Sequence, residues 1–179
     1  MRSFSITLGL LAISIFSNPL FAFDPNPSDK MELDVQVAIL NIKARDPGIQ
    51  DFFDNSAGYA VFPSIGKGGL IVGGAFGRGL VIVDEKVDGY TSMSQGTIGL
   101  QLGGQKYAQF IFFKDETALN HFKRGNFEFG AQASAVAVTA GASADASYDS
   151  GVAIFSLATG GFMLEGSVGG QRFSYEAKE

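Results

Sequence analysis

Glycine constrains this chain before anything else does. There are 24 glycines in 179 residues, and they gather inside stretches that are otherwise β-branched and aromatic. The run KGGLIVGGAFGRG, Lys67 to Gly79, leads straight into Leu80-Val81-Ile82-Val83. A glycine costs a helix interior about 1 kcal/mol relative to alanine, so such runs do not read as helices. They also lack the period of three of a collagen strand. Within strands, glycine permits bends, bulges and close backbone approach. Ile98, Leu100 and Leu102 alternate with Gly99, Gln101 and Gly103, the period of two of a half-buried strand.

Strands are expected over 58–63, 69–83, 97–103 and 107–114, then over 127–148, 151–158 and 161–175, with Asp88-Gly89 as a hairpin turn. From Ala131 to Ala146 the side chains are nearly all small, which predicts strong bending or close approach of another layer. Two stretches read as helices. Ser28 or Asp29 caps the first, with Glu32 in position to complete a capping box. Met31, Val35, Ala38, Ile39 and Ile42 form its apolar face, and Asp46-Pro47-Gly48 ends it. Asp115 caps the second, whose buried face is Ala118, Leu119 and Phe122 and whose stop is Gly125. A helical turn is expected around Ile49, Phe52 and Phe53. The fold class is therefore α+β and mainly β: a curved antiparallel sheet or partly closed barrel covered by two or three helices.

The length fits one domain. Arg2 followed by the uncharged stretch Phe4–Phe16 is too short to span a bilayer and has the pattern of a secretory signal. The expected organisation is a signal peptide at 1–22 with cleavage after Ala22, a linker at 23–28, and one domain at 29–179. The expected location is the periplasm or cell envelope. The net charge of −5, or −6 once Arg2 is removed, lacks the basic footprint of a nucleic-acid binder. With no cysteine, disulfides, thiolate metal sites and lipoprotein anchoring are excluded.

Reactive chemistry is sparse. His121 is the only histidine, with no neighbour at metal-ligand spacing. Glu165-Gly166-Ser167-Val168-Gly169 lacks the first glycine of a nucleophile elbow. The 67–79 cluster has neither a phosphate-loop lysine at the right spacing nor a following helix, so no nucleotide is expected. Neither an enzyme nor a cofactor is expected.

The motifs AGYAVFPSIGKGGLIVGGAFGRGLV, GTIGLQLGGQKYAQFIFF, ETALNHF and GGFMLEGSVGGQRF occur in this order between Ala57 and Tyr175. This block resembles the SYLF domain, a lipid-binding family found in bacterial exported proteins and in eukaryotic proteins at membranes and actin. The resemblance implies a β-rich fold with flanking helices, phospholipid binding and no enzymatic activity. Phosphoinositides and actin, partners of some eukaryotic members, do not suit an exported bacterial protein. Tyr90 stands where many members carry tryptophan.

The function expected is a phospholipid- or membrane-binding module of the bacterial envelope. Lys67, which matches a lysine of the family motif, and Arg78, which does not carry over from it, are the candidate phosphate contacts. Phe52, Phe53 and Tyr90 are candidates for interfacial insertion, with burial as the default for an aromatic. The alternative is a small outer-membrane β-barrel or structural envelope protein.

Overall fold

A proline in the middle of a central strand organises this molecule. The computed structural model describes residues 23–179 apart from 70–71, 99–104, 126, 131–132 and 161–167. Among these residues a single eight-stranded sheet has the order β5-β8-β3-β2-β1-β4-β7-β6. Its strands are β1 (Gly58–Gly69), β2 (Val72–Val83), β3 (Lys86–Ile98), β4 (Gln105–Phe113), β5 (Phe127–Glu128), β6 (Val136–Ala137), β7 (Val152–Gly160) and β8 (Arg172–Ala177). All pairings are antiparallel except β6 with β7. The sheet curls into half a barrel, as the glycine pattern implies.

Pro63 lies within β1, between β2 and β4, where its missing N–H would leave a ladder bond unmade. The strand avoids that defect with a bulge. Pairing to β2 skips from Val61 to Ser64, and pairing to β4 skips from Phe62 to Ile65. The bulge divides the sheet into a proximal half, Gly58–Phe62 on β1, and a distal half, Ser64–Gly69.

Helices pack on both faces of the sheet. α1 (Lys30–Arg45) covers one face through Val35, Ala38, Ile39 and Ile42, which meet Val61, Leu80, Ile82, Phe110 and Phe155 in one buried cluster. α2 (Gln50–Asn55) adds Phe53, edge-on to Tyr59 and Phe112 with both ring centroids at 4.9 Å. On the opposite face, α3 (Glu116–Lys123) sets Leu119 and Phe122 against Ala60, Phe62, Ile111, Phe113 and Phe173. These are the α1 side and the α3 side below. Phe52 and Phe53, the interfacial candidates, both belong to the core: Phe53 is buried and Phe52 packs on Phe112 and Phe155.

Capping follows the sequence with one change. Asp29 accepts N–H bonds from Met31 and Glu32, and Asp115 accepts one from Ala118. Glu32 does not return to its own cap. It is buried, takes the Asn26 N–H at 2.7 Å and the Lys178 ammonium at 2.7 Å, and so ties residues before α1 to the end of β8. Phe23 is buried on the α1 side, so residues 23–28 are held against the domain at both ends.

Two expectations about connections are corrected. The β2–β3 hairpin turns at Asp84-Glu85, both at positive φ (48° and 62°), and Asp88-Gly89 lies inside β3. Asp88 is the extra residue of a bulge there, because pairing to β2 steps from Gly89 to Val87. The 127–148 stretch holds only the two-residue β5 and β6 and a 3-10 turn at Ala142–Asp145 among its described residues. Its small side chains serve a crossing: Ala133 and Ala135 pack on the α3 side, while Val138 and Ala146 pack on the α1 side. Most of the alternating stretch 97–103 and the start of 161–175 lie outside the described residues.

Candidate functional site

Registry assigns every strand residue to a face, because directly opposed residues point the same way. Leu80, in the α1-side cluster, fixes that face on β2; Ile82, Arg78 and Phe76 share it by alternation. The α1 helix reaches only the proximal half, so distal residues on the same face lie open. Two rows of paired residues result. One runs Lys106, Gly66, Phe76, Ser94, Arg172 across β4, β1, β2, β3 and β8. The next runs Ser64, Arg78, Ser92, Ser174 across β1, β2, β3 and β8.

The two candidate cations are not brought together. Lys67 opposes Ala75, which is buried on the α3 side, whereas Arg78 is exposed on the α1 side. One phosphate cannot bridge them without passing through the sheet. Lys106, absent from the sequence expectation, shares the Arg78 face. Neither Arg78 nor Lys106 makes an ion pair among the described residues, and Arg172 is bridged to Glu128 at 3.0 Å.

The apolar surface is equally one-sided. The exposed large hydrophobic side chains among the described residues are Leu33, Val37, Leu40, Phe76 and Tyr90. The first three form an outward stripe on α1 at positions i, i+4 and i+7. Phe76 is 55% exposed on the distal sheet, and Tyr90, paired with Leu80, is 39% exposed nearer the hairpin. All five lie on the α1 side. Between helix and sheet runs a groove of about 320 Å³ of mixed character, lined by the apolar Val37, Ala38 and Leu157 and by the polar Asp34, Asn41 and Thr159. The stripe was legible as leucine and valine flanking the buried positions of α1. Phe76 is marked by alternation with Gly74 and Arg78 on one strand face.

The α3 side holds a set of buried amides. Gln109 and Gln171 exchange amide hydrogen bonds at 2.8 and 3.1 Å, and Gln95 donates to the Gly169 carbonyl at 2.8 Å. Burial pushes the Tyr107 hydroxyl up to about 12, partly offset by its hydrogen bond with Gln171. These contacts pin residues 168–171 to the sheet. His121 is exposed on α3 beside the Phe127 ring. No group of acidic or histidine residues among those described could hold a metal ion. No described helix is long and apolar enough to cross a membrane.

A family described as Ysc84, Las17-binding protein actin regulator, matches residues 94–179, from the distal end of β3 through β8. Beta cell expansion factor A of Aeromonas veronii is 30% identical over 138 residues, 76% of this chain. Residues 94–179 thus match the Ysc84, or SYLF, family. The aligned part is 52% of that relative, so the chain matches only about half the relative's length. The matched block contains β4, α3 and β8, of which β4 pairs with β1 and β8 with β3, while β1 and β2 themselves lie outside it.

Proposed function

We propose that this chain is a non-enzymatic module that binds the surface of a phospholipid membrane at the bacterial cell envelope, following export. The observation that carries the reading is the one-sidedness of the surface. Five exposed large apolar side chains share the α1 side with two cations that have no ion-pair partner among the described residues, in a protein of net charge −5. Scattered exposed hydrophobics are ordinary, but their collection on one face marks an interaction surface. A helix stripe of leucine and valine above a sheet bearing arginine and lysine suits an interface where apolar groups meet headgroups. The family match supports the same reading.

The barrel alternative requires a continuous lipid-facing band on the outer face of the sheet. Here each face packs helices over its proximal half and buries its own cluster. That arrangement favours contact from outside the bilayer.

Vesicle flotation tests the proposal. The protein, purified from residue 23 onward, is expected to rise with vesicles containing anionic phosphatidylglycerol. It should rise much less with phosphatidylcholine alone and be released as salt increases, because the attraction is screened over about 10 Å at 0.1 M. Failure to float with either vesicle would remove the reading. Retention in the pellet after carbonate extraction of native envelopes would replace it with an integral one.

A further inference from the structure

The distal α1-side face has a composition that the fold itself does not require. Glycines 66, 68 and 96 have nothing within 4 Å of an added Cβ and no positive φ. Neither packing nor backbone conformation demands glycine there. Gly79, by contrast, would place a Cβ 2.2 Å from the Val61 carbonyl oxygen and is fixed by the fold. With small residues around it, Phe76 stands above the surrounding backbone, 55% exposed.

The charges around Phe76 are spread out. In its cross-strand row, Lys106 and Arg172 flank it two strands away on either side, about 19 Å from each other at the usual strand spacing. Arg78 follows two residues along β2, about 7 Å from Phe76. Glu128 extends the row beyond Arg172 and is bridged to it. Cations spaced this widely do not converge on one phosphate. They match a plane carrying many.

We propose that this face docks on an anionic phospholipid bilayer, with Phe76 seated among the acyl chains and Lys106, Arg78 and Arg172 among the headgroup phosphates. The proposal rests on the membrane-binding reading above and specifies the face, the lipid charge and the depth of contact. A shallow footprint with one aromatic wedge and three cations gives reversible binding that depends on surface charge. The α1 stripe is the competing contact on the same side of the protein, and a second protein is the competing occupant.

The chain has no tryptophan, so Phe76→Trp installs a unique fluorophore. Its emission is expected to shift to the blue with phosphatidylglycerol vesicles and to be quenched by brominated acyl chains. In flotation, Phe76→Ser should weaken partitioning about tenfold. Arg78→Ser and Lys106→Ser should each weaken it about fivefold on anionic vesicles. Circular dichroism melts confirm that the variants fold. Serine variants that float like wild type, together with unshifted emission from the Phe76→Trp protein, overturn the face while leaving the membrane reading intact. In that event, loss of flotation in Val37→Ser would assign contact to α1. Wild type that floats with no vesicle overturns both, and concentration-dependent dimers abolished by Phe76→Ser, without flotation, would give the face to a second copy.

Discussion

At the scale of single residues, glycine does two different jobs on one strand pair. Gly79→Ala drives a methyl into the β1 backbone and should destabilise by about 1–3 kcal/mol in urea unfolding. Gly66→Ala meets open space and should be neutral or stabilising, by up to about 1 kcal/mol, as glycine is a poor strand residue. Equal losses at both positions would mean that the distal face is packed. The candidate cations separate in the same way. Arg78→Glu should lower flotation with anionic vesicles, and Lys67→Glu, on the other face, should change it little. The sequence could place both in one glycine-rich block but not on a face. Facing depends on register across the Pro63 bulge, and one extra residue inverts it.

At the scale of elements, much was legible because the signals were local. Asp29, Asp115 and Gly125 mark helix ends by short-range hydrogen bonding and backbone conformation, and the structure keeps all three. Asp29→Ala should cost about 1 kcal/mol. β3 was the element most poorly anticipated: KVDGYTSMSQGTI reads as polar because one face of its distal half is open and the other buries Thr91 and Gln95. Its turn was missed because Asp84-Glu85 takes left-handed conformations usually given to Asn-Gly, while the real Asp-Gly pair serves a bulge. The 3-10 turn Pro47–Ile49 depends on a long-range contact that no local pattern reveals. Asp46 is buried, and burial alone would raise its carboxyl. The N–H bonds from Ser143 and Gly48 outweigh that and hold it below the usual carboxylate range. A group depressed in the folded state stabilises above the unfolded value and loses that contribution as pH falls through the folded one. The melting-temperature gap between wild type and Asp46→Asn should therefore narrow below about pH 4. A gap constant down to about pH 2 would contradict this assignment.

At the scale of the whole molecule, the sheet separates two environments. The α3 side closes over a core with a buried amide network, while the α1 side leaves its distal half and the outer helix stripe open. Composition announced a β-rich protein. It could not announce asymmetry, which arises only when α1 covers no more than the proximal half of its face and strand register gathers residues distant in sequence. The asymmetry is tested most directly by single tryptophans on opposite sides, Phe76→Trp on the distal sheet and Asn120→Trp on α3, titrated with anionic vesicles containing brominated lipid. Quenching of the sheet tryptophan with the α3 tryptophan left unchanged is the expected result; equal quenching of both, or quenching on α3 alone, would contradict a one-sided membrane contact.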